Sequence, residues 1–518
     1  MLFSSWQFIF LFLPATLTVF FVLPANPAWL RKSWLLIASV FFYAYWKVEY
    51  VPLLIFSICF NYAVAEFITR HRHRRAAKIV FIAGVSLNLL LLGYYKYTNF
   101  ILEFLGHVSE HDFGSFDILL PLAISFFTFT QIGYLVDVYR NQSLHHRFLD
   151  YAFFVVFFPH LIAGPIVRHW EIIPQFAGKV LRANGDDIIV GIAMFLTGLY
   201  KKVLLADSVS GYVTTVYGAA ARGATLTWFD AWFGTLAFAM QIYFDFSGYS
   251  DMAIGLARLF GIRFPMNFNS PYKAGSITEF WQRWHITLTR FLREYVYFPL
   301  GGNRCSPFRH VFNIMATMLL SGLWHGAGWT YVIWGGLHGF YLVVAHRWRI
   351  FVEKRGWELQ FWGHRFLSVA LTFVAVLFAW VFFRAPTLSV TGKVISSMAA
   401  LHGLTLSDDV ISPTTGPARL LRHLLKHLGV PFVPQTLDAV DYSSLIGVIL
   451  VMLVIVLFLP NTQQMLAEHA PVLEKTTRPR SWYLTLGWRD GLIFGGLSFW
   501  VLRSFYIAPP SPFIYFHF

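Results

Sequence analysis

The run KIVFIAGVSLNLLLLGYY at residues 78–95, with Arg70-His71-Arg72-His73-Arg74-Arg75 just ahead of it, decides the class of fold. The run carries one charged residue, Lys78, and a helix of about 20 such residues crosses the hydrocarbon core of a bilayer. The basic run reads as a loop retained on the cytoplasmic side. Metal and nucleic-acid readings of the same six residues weigh less.

Comparable apolar runs occupy 8–23, 33–45, 51–68, 119–138, 151–167, 188–204, 228–244, 310–323, 332–345, 366–383, 445–459 and 491–505. The bulk composition agrees: 57% of the 518 residues are hydrophobic and 13% charged, against about a quarter charged in soluble proteins. A larger soluble core does not explain this, because long soluble chains split into domains that each keep a polar surface. The net charge of +14 is dispersed between apolar runs and forms no basic, aromatic-interleaved face, so no nucleic-acid partner is expected. Cys59 and Cys305 sit in unlike contexts and indicate neither a disulfide framework nor a thiolate metal site.

The first run, 8–23, lacks a basic leader and is followed by Pro24-Ala25-Asn26-Pro27, a poor cleavage site. It is expected to be an uncleaved membrane helix. Arg31-Lys32, 70–75 and 140–147 follow the first, third and fifth runs, which places all three in the cytoplasm and the amino terminus outside. Residues 386–442 are polar by comparison and read as an interfacial insertion in a single domain over 1–518. His423 and His427 stand four apart there, a zinc-compatible spacing. With no third ligand and cationic neighbours, an interfacial amphipathic helix is expected and no metal. The expected fold is all-α: a polytopic membrane protein of about 11–13 helices, including short or re-entrant ones, around a central tunnel.

Polar chemistry concentrates between residues 241 and 304. Asp245, Asp251, Glu279, Arg283, His285, Arg293 and Glu294 stand there among aromatic and aliphatic residues. Ionisable groups are costly inside a membrane domain and face a partner or a wet cavity. Ion pairs holding helices in register account best for the carboxylates and arginines, less well for His285. Further on, His325 lies in Leu319-Leu-Ser-Gly-Leu-Trp-His-Gly-Ala-Gly-Trp329. Gly322, Gly326 and Gly328 remove bulk around it, which admits a ligand or another backbone. A neutral imidazole in such a setting can take a proton near pH 7. Residue physics alone leaves the structural and catalytic readings of His325 both open.

These segments resemble the membrane-bound O-acyltransferase family, in the polysaccharide-acetylating branch that holds the multi-spanning subunit of bacterial alginate O-acetyltransferases. The resemblance runs nearly end to end. It includes Tyr94-Tyr-Lys-Tyr97, Ser125-Phe126, Tyr134 to Arg140, Phe158-Pro-His-Leu-Ile-Ala-Gly-Pro165, Tyr243 to Asp251, Ser276 to His285, Leu300-Gly-Gly-Asn-Arg304, Leu323-Trp-His-Gly326 and Ser511 to Phe518. The ordered pair Arg283-Trp284-His285 and Trp324-His325-Gly326 is its specific part. Gln282, where an arginine is common, is a minor departure.

The resemblance implies an O-acetyltransferase of the bacterial inner membrane. Acetyl would move from cytoplasmic acetyl-CoA toward hydroxyls of an exported polysaccharide, by way of an extracytoplasmic acetyltransferase-like partner, with no bound cofactor. It implies His325 as the catalytic residue, as general base or covalent acetyl carrier, and His285 as a positioning or oxyanion-stabilising group. Trp324, Trp284, Arg283, Asp245, Ser247, Asn303 and Arg304 are the further candidates to line the tunnel. Arg304 and Lys96 are weak candidates for the CoA phosphates.

Three other constellations stand lower. Ser321 shares a helix face with His325 but lacks a nucleophile elbow. His107 and Asp112 spell the His-x₄-Asp of glycerolipid acyltransferases, in a loop assigned to the outside. The aromatics from Tyr243 to Tyr249 read as packing before they read as a glycan platform. The rival classes are a secondary transporter, whose internal repeat is missing, and a non-catalytic scaffold of an export complex.

Overall fold

The computed structural model describes residues 1–140, 146–177, 181–357, 363–401, 403–408, 410, 416–433, 437, 441–507 and 511–514. The fold is all-α and polytopic, and its axis is the helix Trp228–Leu259. At 32 residues and 1.5 Å rise it is ~48 Å long. Thr227 caps it by accepting from the Asp230 amide at 3.0 Å, and almost every side chain from Phe229 to Leu259 is buried. The expected span 228–244 therefore runs on as one helix through the polar stretch 241–251 to Leu259.

Its partner explains why. The helix Gly185–Tyr200 lies along it, backbone against backbone. A Cβ on Gly198 would stand 2.4 Å from the Gly248 carbonyl oxygen, and one on Gly255 would stand 2.5 Å from that of Gly191. Both glycine pairs recur at seven residues, so the two faces meet without side chains, as small residues permit in membranes. The same helix continues through a π-helical segment, Lys201–Ala206, into Asp207–Ala221. There Lys201 meets Asp251 at 2.6 Å, while Lys202 meets Asp245 at 2.7 Å and Asp207 at 2.9 Å. These pairs pin the helices in register.

Among the described residues, four stretches are long and apolar enough to cross a membrane, Val48–Arg70, Arg75–Ser109, Gly185–Ala221 and His364–Arg384. Leu90, Phe366, Leu371 and Phe458 are exposed on the outer helices, the pattern of a surface solvated by lipid.

Several expected boundaries differ. Arg31 and Lys32 are drawn into the helix Ala28–Ala44 and buried. Lys32 pairs with Asp150 at 2.6 Å, so these cations serve packing and are no free topogenic loop. The expected span 151–167 is instead the pair Phe148–Val156 and Phe158–Leu161, broken ahead of Pro159 and buried in protein from Tyr151 onward. The segment 386–442 is only partly peripheral. Leu388–Met398 packs on the central helix, and the Trp232 indole donates to the Met398 carbonyl at 3.0 Å. Beyond it come a two-residue parallel pair, Leu406–Ser407 with Phe432–Val433, and the helix Gly416–His427. His423 and His427 are exposed there, ring centroids 4.5 Å apart. Residues 141–145 and 515–518 of the segments used above lie outside the described residues.

Candidate active site

His325 is the last residue of the helix Pro307–His325, whose first turn is set by Pro307 and by the Ser306 hydroxyl accepting from the Arg309 amide at 3.4 Å. Helix ends leave carbonyls unpaired. Here a second helix, Arg75–Ser109, supplies the donors. The Tyr97 hydroxyl donates to the Leu323 carbonyl at 2.7 Å. The Lys96 ammonium donates to the Trp324 carbonyl and, at 3.3 Å, to that of His325. A cation at this pole also opposes the negative end of the helix dipole. Lys96 thus holds the His325 end of the helix and is turned to carbonyls, where contact with CoA phosphates was expected.

The imidazole of His325 is buried against Trp324, Trp334 and Phe383, at ring-centroid distances of 4.9, 5.0 and 5.2 Å. The glycines around it serve the neighbouring helix Trp329–Arg355. A Cβ on Gly322 would stand 2.2 Å from the Tyr331 carbonyl oxygen, and one on Gly326 would stand 2.2 Å from the Tyr331 ring.

His285 occupies the left-handed region (φ 42°) as N-cap of the helix Ile286–Leu292 and is fully buried. Its Nδ1 lies 3.1 Å from Asn267 Oδ1. That oxygen also receives the Thr287 amide at 3.4 Å and the Thr287 hydroxyl at 2.8 Å, while Asn267 Nδ2 donates to Ser250 Oγ at 3.0 Å. The Thr287 amide can only donate, so Asn267 presents its oxygen and His285 carries its proton on Nδ1. Nε2, buried and without a partner among the described residues, is then a lone pair. In that tautomer His285 accepts hydrogen bonds and cannot stabilise an oxyanion, which removes one of its two expected roles. The Trp324 ring stands 6.1 Å from His285 and 4.9 Å from His325, so one indole joins the two motifs.

A cleft of about 980 Å³ opens on the other side of Trp281, and neither histidine lines it. Its rim carries exposed Arg293, Arg349 and Glu353 with half-buried His310 and His346, and its floor is buried Trp281, Thr317 and Met318. His325 lies beyond the floor, behind Trp334, whose ring is 5.9 Å from Trp281. Sequence reasoning missed His338, which sits at this junction fully buried and accepts from the Trp281 indole at 3.3 Å. Its setting, Gly335-Gly336-Leu337-His338-Gly339, carries the same signal as His325: a histidine bracketed by glycines in an apolar helix.

The remaining candidates divide. Trp284 is buried 5.0 Å from Trp380. Arg283 donates to the Asn269 carbonyl at 3.1 Å and pairs with Glu279 at 2.7 Å. Asp245 is taken up by Lys202 and by the Ile514 amide, which donates to it at 2.8 Å. Ser247 is buried on the central helix. Asn303 and Arg304 are exposed in the turn ahead of Pro307, a helix length of ~28 Å from His325, and neither lines the cleft. Asp112 closes a local turn by accepting from the Gly114 amide at 2.8 Å. Phe246 packs edge-on against His285 at 4.7 Å, so the aromatics between Tyr243 and Tyr249 form wall and core.

Comparison with known proteins gives the family. Residues 137–385, which include both histidine motifs, match the model of MBOAT, the membrane-bound O-acyltransferase family. The chain is 43% identical over 436 residues to the peptidoglycan O-acetyltransferase of Helicobacter pylori, covering 78% of this chain and 81% of that protein. It is 41% identical over 414 residues to the protein named "Probable alginate O-acetylase AlgI" of Pseudomonas aeruginosa, covering 79% and 76%. The teichoic acid D-alanyltransferase of Bacillus subtilis is 26% identical over 325 residues, covering 60% and 80%. The chain belongs to the membrane-bound O-acyltransferase family, and it is an O-acyltransferase.

Proposed function

We propose that the protein transfers acetyl from cytoplasmic acetyl-CoA to hydroxyls of an exported polysaccharide, through an extracytoplasmic acetyltransferase-like partner. The observation that carries this reading is the pairing of two buried histidines on one shared indole, with a cleft of about 980 Å³ on the other side of Trp281. That volume falls at the upper end of small-molecule sites. The named activities of the relatives, peptidoglycan and alginate O-acetylation, support a glycan as final acceptor.

The donor occupies the cleft with its acyl end toward Trp281 and Trp334. A thioester is already activated, so the site must position a hydroxyl, remove its proton and hold the developing oxyanion. His325 takes the proton as general base, worth about 10²–10⁴-fold. The new C–O bond forms, the C–S bond breaks, and CoA leaves as the thiol on receiving that proton. His285 positions the reacting groups with its Nε2 lone pair. The indole N–H groups of Trp324 and Trp334, both buried without a partner among the described residues, are the donors available to the oxyanion.

The protein sits in the bacterial inner membrane with its amino terminus outside. With Arg31 and Lys32 engaged in packing, the orientation rests on the turn at 70–75, where His73, Arg74 and Arg75 are exposed. By helical rise Lys96 stands ~31 Å from Arg75, and His325 ~27 Å from Pro307. Because Lys96 caps the His325 end, helices that cross in the same sense bring the rim level with the basic turn. The rim then opens to the cytoplasm, where acetyl-CoA is.

The test is release of CoA from radiolabelled acetyl-CoA by purified full-length protein in detergent, together with an extracytoplasmic acetyltransferase partner, with mannuronate oligosaccharide and a soluble peptidoglycan fragment offered as acceptors. Acceptor-dependent release with label on the glycan is expected. Binding and movement of a solute with no CoA released, and no label transferred, points to a carrier and overturns the proposal.

A further inference from the structure

His338 has a role that neither histidine motif covers. Trp281 Nε1–H can only donate, and it donates to His338 Nδ1 at 3.3 Å. The proton of the neutral imidazole is therefore on Nε2, the opposite tautomer to His285. That N–H is fully buried and has no partner among the described residues. A buried donor left unpaired is costly, and an acceptor atom from a ligand would remove that cost.

The position is defined by the helices. His338, Leu342, Ala345 and Arg349 fall on one face of the helix Trp329–Arg355, and the last three line the cleft. His338 stands one turn further in, and helical side chains lean toward the amino terminus, here toward Trp334. It is level with the floor: a Cβ on Gly335 would stand 2.3 Å from the Met318 carbonyl oxygen, and one on Gly339 would stand 2.9 Å from Met315 Sδ. Met318 precedes His325 by seven residues, ~10 Å along the helix. The Trp334 ring fills the interval, 4.9 Å from His338 and 5.0 Å from His325.

With the Trp334 ring between the two imidazoles, a thioester carbonyl held at His325 leaves His338 to an atom further along the donor. In a pantetheine thioester the nearest amide carbonyl lies five bonds further along the arm, roughly 6 Å at ordinary bond lengths. Resting on the acyl-donor reading above, we propose that His338 Nε2–H donates to this amide carbonyl. It thereby sets how far the thioester reaches beyond Trp334 toward His325. His338 is then a donor-binding residue that recognises an amide-bearing thiol carrier, and Trp281 holds it in the required tautomer.

The test compares two small donors with full-length protein. S-acetyl-N-acetylcysteamine keeps the amide next to the thioester, and ethyl thioacetate lacks it. Wild type should prefer the first by about tenfold in kcat/KM, the value of one hydrogen bond to a neutral carbonyl. His338→Phe should reduce that preference to within about threefold, and His338→Gln, which keeps an N–H in a similar place, should retain it. If the phenylalanine variant does not fold, His338→Met fills the space without a donor and gives the same comparison. An unchanged preference in the donorless variant, or none in wild type, overturns the proposal while leaving the acyltransferase reading intact. Absence of wild-type turnover with acetyl-CoA and both analogues sinks that reading, and His338 with it.

Discussion

Replacing Lys96 with methionine tests whether the catalytic geometry is held from a neighbouring helix. The ammonium donates to the carbonyls of Trp324 and His325, the final two of the His325 helix. Hydrogen bonds from a charged donor contribute about 1.5–3 kcal/mol each, and a cation at a helix end about 0.3–1 kcal/mol more. Lys96 is half-buried, so the low end applies and Lys96→Met should cost about 3 kcal/mol locally. If half of that appears as displacement of the His325 ring from its reactive position, kcat falls about tenfold. The assay is steady-state acetyl-CoA turnover alongside thermal unfolding in detergent, with Tyr97→Phe as the milder neighbour, since it removes one neutral bond worth about 1 kcal/mol. A fall in kcat with KM for acetyl-CoA nearly unchanged is expected. A raised KM at constant kcat would mean that Lys96 binds the donor after all, and wild-type kcat and stability together would refute the capping argument.

Three further outcomes follow from the packing. Asn267→Leu removes the acceptor that fixes the His285 proton on Nδ1, a hydrogen bond worth about 1 kcal/mol or somewhat more; kcat should fall about fivefold to tenfold while the detergent-solubilised protein stays monodisperse. Gly248→Val places a branched side chain where even a lone Cβ would stand 2.7 Å from the Gly198 carbonyl oxygen. Overpacking of about 1–3 kcal/mol or more should lower the yield of folded protein, read by size-exclusion fluorescence. Asp112→Ala removes only a local turn contact, and its turnover should match wild type within about twofold, because surface changes of this kind fall within about 0.5 kcal/mol.

Membrane helices were legible in the sequence because lipid demands long apolar runs, and most of the expected spans coincide with helices. The failures have one cause: local hydropathy does not say what covers a segment. The run 151–167 is apolar enough to span, yet Pro159 breaks it and other helices enclose it. The span read as ending at 244 continues as helix through the polar stretch 241–251, because Lys201, Lys202 and the glycine face of the partner helix meet it. Arg31 and Lys32 looked topogenic until Asp150, more than a hundred residues away, accounted for Lys32. At the site, the two histidine motifs were readable, and so was the sense that the carboxylates form ion pairs. The tautomer of His285 and the carbonyl-capping role of Lys96 were not, since each depends on a partner distant in sequence. His338 was readable in principle, by the glycine-bracket argument applied to His325.

The most direct measurement of the central claim is acetyl-CoA turnover by folded His325→Ala, with Ser321→Ala and His107→Ala alongside. Turnover lost in the first, by at least about 10²-fold, and kept in the other two is the result this account predicts. Turnover retained in a folded His325→Ala protein would contradict it, whatever the glycan acceptor proves to be.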